Sequence, residues 1–154
     1  MTPEHIKTLL DQTRKLMYGV NYEVTLGLEI FQQCYTVPDI NAAINERFHQ
    51  ANPASTTTSA ISEADFWNDL NEKLDHRGHG NGSYLSLTPE RESQLRSKQD
   101  EIRKFLAGYI KPDTLIYSYP FLEGIPGYPV FWEYCFVILN TEGQSILFYG
   151  SASD

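Results

Sequence analysis

Asp75-His76-Arg77-Gly78-His79-Gly80-Asn81-Gly82 brings two imidazoles, a carboxylate and a guanidinium into one short run. An imidazole in such company can act as a general base on water, and Asp75, His76 and His79 are all groups that Zn²⁺ accepts as ligands. A catalytic zinc site wants a third firm ligand and ordered hydrogen-bond partners behind its ligands, whereas the interleaved glycines favour a mobile surface loop with incidental histidines. Metal binding through Asp75, His76 and His79 is therefore the weaker alternative, and no cofactor is expected. No phosphate-cradling glycine motif and no Gly-x-Ser-x-Gly elbow occurs anywhere in the chain.

The same run is one residue away from the Asp-Arg-Gly-His signature of the non-specific DNA/RNA endonucleases, which use the His as base and a metal held by an Asn on the following helix. His76 stands between the Asp and the Arg and breaks the register. The helix expected over 89–110 contains no Asn, and the next Asn after Asn81 is Asn140, in an expected hairpin turn. The run is also expected to trail a helix rather than to lead into one. On these grounds the chain is read as a non-enzyme.

These residues must be held by some scaffold, and the composition bounds it. A chain of 154 residues, 41% hydrophobic and 13% aromatic, suits one packed domain and buries enough surface to need no staple. The longest apolar runs, such as Phe136-Val137-Ile138-Leu139, fall far short of a membrane span. Lys7 and Asp11 interrupt the N-terminal segment where a secretory signal would need an apolar core, so the expected location is the cytoplasm. Cys34 and Cys135 sit beside aromatic or β-branched neighbours and read as buried free thiols.

Hydrophobic periodicity lays out the elements. Thr2 and Pro3 open a helix carrying Ile6, Leu9, Leu10, Leu16 and Met17 to a stop at Gly19. Tyr22, Val24, Leu26, Leu28 and Ile30 then alternate with Glu23, Thr25, Gly27 and Glu29, the pattern of a half-buried strand with an acidic outward face. Asp39 is expected to cap a short helix through Ile40, Ile44 and Phe48, and the polar stretch 52–60 to be a loop. Ser62 and Asp65 start a helix with Phe66, Leu70 and Leu74 on one face, and Thr88-Pro89-Glu90 starts another to about Ile110. Three strands follow, at about 114–119, 130–139 and 144–150, the last two joined by Asn140-Thr141-Glu142-Gly143 with Gly supplying positive φ. The strand 130–139 is apolar on both faces and belongs at the centre of a covered sheet. The order predicts a single α+β domain over 1–154, a mainly antiparallel sheet with helices packed on it.

Two features point to a partner. The net charge is −8, and residues 111–154 carry Lys111 alone against Asp113, Glu123, Glu133, Glu142 and Asp154. Such a balance disfavours direct nucleic-acid binding, which needs a basic face, and suits either plain solubility or attraction of a basic protein. The segment 119–129 holds three prolines and two glycines yet carries Phe121, Leu122, Ile125 and Tyr128. Rigid aromatics in a loop either cover the core or dock a partner, in which case the chain would be a scaffold or subunit.

The layout resembles the nuclease A inhibitor family, small acidic cytosolic proteins of cyanobacteria that block a secreted sugar-non-specific endonuclease. The similar pieces are Lys15-Leu16-Met17-Tyr18 before an acidic-aromatic strand, Ser62-Glu63-Ala64-Asp65-Phe66-Trp67 before a loop, the helix to Leu106, and Phe136-Val137-Ile138-Leu139-Asn140-Thr141-Glu142-Gly143 before a last strand. This chain is longer, adds the 113–129 segment and carries the Asp75–Gly82 run. The resemblance implies an α/β/α-like sandwich that inhibits by occupying a nuclease's metal-containing cleft. Carboxylates suit that role, since they ligate the ion or pair with Lys and Arg of a DNA site. The partner-binding candidates are Glu23, Glu29, Glu133, Glu142 and Asp154 with its main-chain carboxylate, joined by Phe121 and Tyr128; each acid taken singly reads equally as a solvated surface group.

Overall fold

The computed structural model describes residues 1–80 and 82–154, with His79 described by its backbone alone; Asn81 and the His79 side chain lie outside the described residues. Helix α1 (Pro3–Leu16) begins where sequence logic places it: Thr2 Oγ1 accepts the His5 N–H and Pro3 fills the first turn. Helix α2 (Val37–Arg47) has a different cap from the one expected. Thr36 is the N-cap, and Asp39 is its reciprocal partner three residues on, taking the Tyr35 and Thr36 N–H groups. Helices α3 (Glu63–Asp75) and α4 (Pro89–Tyr109) are capped by Ser62 and Thr88.

Five strands form one antiparallel sheet: β1 (Glu23–Phe31), β2 (Ser59–Ile61), β5 (Leu115–Ser118), β6 (Trp132–Leu139) and β7 (Ser145–Ser153), in the order β1-β7-β6-β5-β2. The apolar strand β6 sits at the centre, as its two buried faces require. Its turn to β7 uses Gly143 at φ +87°. Strand β2 falls in the stretch expected to be a loop. Its three residues are mostly exposed and carry too few apolar positions to show a period.

Alternation along the strands builds two cores. Val24, Leu26 and Leu28 of β1, Trp132, Tyr134, Phe136 and Ile138 of β6, and Ile146 and Phe148 of β7 face α1, α3 and α4. Phe66 of α3 meets Phe136 edge-on at 4.9 Å between centroids, and burying each such ring contributes about 1.5–3 kcal/mol. On the opposite face Cys135, Val137, Leu139, Leu147 and Tyr149 pack under α2 and the 119–129 segment. The face of β1 expected to look outward therefore looks into a second layer. Gly27 has no side chain because the Tyr149 ring lies across it; a Cβ there would stand 2.1 Å from the ring. On the other face, Tyr134 lies across Gly150 in the same manner.

The result is an α+β fold with helices on both faces of an antiparallel sheet. Among the described residues no helix is long and apolar enough to cross a membrane.

Candidate functional site

Among the described residues of the Asp75–Gly82 run, 78–80 form a strand rather than an irregular loop. His76 caps the end of α3, and Gly78–Gly80 (β3) pairs with Ser83–Tyr84 (β4) in a small hairpin. The run therefore trails α3 and also leads, through 85–88, toward α4, which corrects the expectation that it only trails a helix. Gly78, at φ +108°, lets the Tyr84 backbone approach where a Cβ would clash at 2.3 Å. Val20 and Tyr84 exchange both backbone hydrogen bonds, at 2.8 and 3.0 Å, which ties the hairpin to the segment entering β1.

His76 itself is held by a hydrogen-bond chain. The Trp132 Nε1–H donates to Tyr22 Oη at 2.8 Å, Tyr22 Oη lies 3.1 Å from His76 Nδ1, and the Gly78 N–H donates to the same Nδ1 at 3.2 Å. Since Gly78 can only donate, Nδ1 is an acceptor and Tyr22 supplies the hydroxyl proton. Burial raises the Tyr22 phenol above its ordinary value, with the Trp132 hydrogen bond opposing. His76 thus joins α3, β1 and β6 through its Nδ1 lone pair, which leaves that nitrogen no lone pair for a metal. Asp75 points away, 60% exposed, with Arg103 at 3.8 Å. Among the described residues no group of three or more His, Cys, Asp or Glu is placed to hold a metal ion.

The acidic candidates separate into groups. Glu29 is 13% exposed and pairs with Lys7 of α1 and Arg47 of α2, so its charge is already met within the fold. Glu142 is exposed in the β6–β7 turn, at the opposite end of the hairpin from Glu133. The remaining three converge. Glu23 is registered with Ser153 and Glu133 with Ser151, so the two flank β7 on one face, next to Asp154. Neighbouring strands lie about 4.8 Å apart, which spaces these carboxylates at roughly the scale of a docking patch. None of the three takes part in an ion pair with the described residues.

The 119–129 segment divides in the same way. Tyr119, Leu122 and Ile125 are buried, and Phe121 packs partly buried against the same core, so this part covers the second layer. Gly127, at φ +120°, then lies over Ser151 and Thr25, and the Val130 and Phe131 N–H groups both reach Ala152 O at 2.9 Å. That path delivers Tyr128, 71% exposed, and Val130, 45% exposed, to the end of the sheet holding Glu23, Glu133 and Asp154. Val20 and Tyr84, 50% and 41% exposed, pair with each other on the β3–β4 side, and Tyr22, two residues on from Val20, packs on Phe131 at 5.7 Å. Val20, Tyr84 and Val130 escaped the sequence reading; a lone apolar residue in a turn carries no period to mark it.

The nucleophile candidates are closed off. Cys34 and Cys135 are buried and free, and burial pushes the Cys135 thiol up to about 12 and raises that of Cys34. Burial likewise carries the Tyr119 and Tyr149 phenols to about 12, and the Tyr134 phenol well above its ordinary value. What the convergent end offers is carboxylates and exposed apolar groups.

No protein-family model matches the chain, and a search of the curated proteins gives no match. Among solved structures the chain is similar to two crystal structures of citrus MAF1. The form in space group P 31 2 1 has a TM-score of 0.62 at 13% identity, and the form in C 2 2 21 has 0.61 at 14%. Each alignment covers 94% of this chain and 98% of the other, so the whole α+β architecture is shared.

Proposed function

We propose that the protein is a non-catalytic binder of a positively charged protein, engaging it through the end of the sheet that carries Glu23, Glu133 and Asp154. The observation behind this reading is the coincidence of three carboxylates outside the ion pairs of the described residues with the exposed Tyr128 and Val130 at the same end of the sheet. Carboxylates steer a basic partner in and fix its register, while the exposed apolar groups supply the area that holds it. The family resemblance sharpens the partner to a sugar-non-specific nuclease, whose DNA cleft is lined by Lys and Arg around a metal. In that setting the carboxylates occupy the place of phosphates, and the effect is inhibition. Direct nucleic-acid binding is disfavoured by the same charges.

Calorimetry against a basic sugar-non-specific nuclease tests the proposal, with nuclease activity measured in parallel. The expected result is stoichiometric binding that inhibits the enzyme and weakens steeply between 50 and about 300 mM salt. Glu133→Lys and Tyr128→Ala should each raise Kd by about tenfold or more, and Glu142→Lys, at the far end, should change it little. Binding that ignores salt and all three substitutions, or the absence of any complex, removes the proposal.

A further inference from the structure

Among the described residues no strand pairs with the long outer edge of β1. β1 pairs only with β7, the register runs unbroken from Glu23 to Phe31, and no backbone group of residues 23–31 enters a hydrogen bond outside the strand ladder. Half of its N–H and C=O groups therefore point away from the sheet. Strands left at an edge are usually kept short, bulged or interrupted by proline. The other edge, β2, is only three residues long, whereas β1 is nine with none of these devices.

A groove runs beside that edge. One cleft of about 210 Å³ lies between Leu10 and Arg14 of α1 and residues 26–29 of β1. A second, of about 370 Å³, continues past Ile6 and Leu28 to Gln32. Lys7, Leu28 and Glu29 line both, so the two form one trough along residues 26–32 with α1 as its wall. At about 3.4 Å per residue it accommodates an extended segment of seven or eight residues.

The charge of the trough names its occupant. Lys7 and Arg14 from α1 and Arg47 from α2 line it, and Lys15 stands beside it; the acids facing them are Asp11 and Glu29. Among the groups that line the clefts, three cations, Lys7, Arg14 and Arg47, meet two carboxylates, Asp11 and Glu29. In a chain of net charge −8 this flank carries a local positive excess. Antiparallel pairing of β1 with a second copy would set two such rims against each other, whereas an acidic segment complements one.

We propose that the β1 edge, walled by α1, takes an extended acidic segment of another protein as a sixth strand of the sheet. Main-chain hydrogen bonds to β1 supply the docking, and side-chain carboxylates of the segment meet Lys7, Arg14 and Arg47. This flank is distinct from the Glu133 end, so the two proposals stand or fall separately.

The test uses the full chain and an acetylated octapeptide of alternating valine and aspartate. Matched probes are the same peptide N-methylated at alternate amides along one edge, and a valine-lysine version. Fluorescence anisotropy should show saturable binding of the aspartate peptide and at least tenfold weaker binding of both others. Lys7→Gln, which leaves Glu29 paired with Arg47, should weaken the aspartate peptide about threefold or more while the circular dichroism spectrum stays that of the parent. Hydrogen exchange should show the outward amides of β1 becoming protected on binding. Equal binding of the N-methylated or lysine peptide, or no binding of the aspartate peptide, overturns the proposal. So does a dimer whose β1 amides are protected before any peptide is added.

Discussion

Tyr22→Phe removes one oxygen from the junction of α3, β1 and β6 and leaves the packing in place. Tyr22 is fully buried, and its ring contacts with Phe131 at 5.7 Å and His76 at 5.8 Å survive the change. Two hydrogen bonds disappear, from Trp132 Nε1 at 2.8 Å and to His76 Nδ1 at 3.1 Å. Each contributes about 1 kcal/mol net, and the indole N–H of Trp132, a residue only 8% exposed, is left buried without its acceptor, which adds about 1 kcal/mol more. His76 Nδ1 keeps the Gly78 N–H and so adds little. The expected loss is about 2–3 kcal/mol, or a fall in Tm of roughly 5–10 °C for a chain of this size. Urea unfolding followed by far-UV circular dichroism measures it, since fluorescence would be confounded by the Trp132 variants needed next. In the Trp132→Phe background the donor is already gone, so Tyr22→Phe should cost about 1–2 kcal/mol less than it does alone. If Tyr22→Phe lies within about 0.5 kcal/mol of the parent, or the two substitutions are additive, the hydrogen-bond chain has no energetic weight and this reasoning fails.

Other perturbations probe other parts of the fold. Gly27→Ala drives a methyl into the Tyr149 ring, and overpacking of this kind costs about 1–3 kcal/mol by the same urea assay. With burial raising both thiols, Cys34 and Cys135 should resist an aromatic disulfide reagent at pH 8 in the native protein and react fully in urea; immediate native reaction would contradict their burial. Arg77 holds the Glu92 carboxyl below its ordinary value of 4.5, so this ion pair stabilises the fold above that pH and is lost as pH falls through the lowered value. Glu92→Gln should therefore destabilise the protein at pH 7 and narrow its gap to the parent toward pH 3, as followed by thermal melting at each pH.

Much of the scaffold could be read from local signals. The Thr2-Pro3 start of α1, the alternation in β1, the two apolar faces of β6 and the glycine of the β6–β7 turn each depend on neighbours in sequence, and each appears where expected. What escaped depends on partners far along the chain. The polar face of β1 gave no sign that α2 and Tyr149 would cover it, so Glu29 read as a free acid although Lys7 and Arg47 enclose it. Gln99 is a polar residue in a largely polar stretch of α4, yet it is fully buried and donates to Leu74 O at 2.9 Å; its spacing from Leu95, Ile102 and Leu106 was the available clue. The candidate site is the extreme case. Glu23, Tyr128, Glu133 and Asp154 meet only because β7 threads between β1 and β6, and no local spacing encodes that.

The placement of β7 also sets the timetable of folding. Its nine residues are the inner neighbour of β1, the register linking Glu23 to Ser153 and Phe31 to Ser145. During synthesis β1 leaves the ribosome well before the strand that zips it to the sheet. A nascent chain must hold Val24, Leu26 and Leu28 without their hydrogen-bonded neighbour until β7 emerges, an interval in which chaperone capture or misassociation competes with completion.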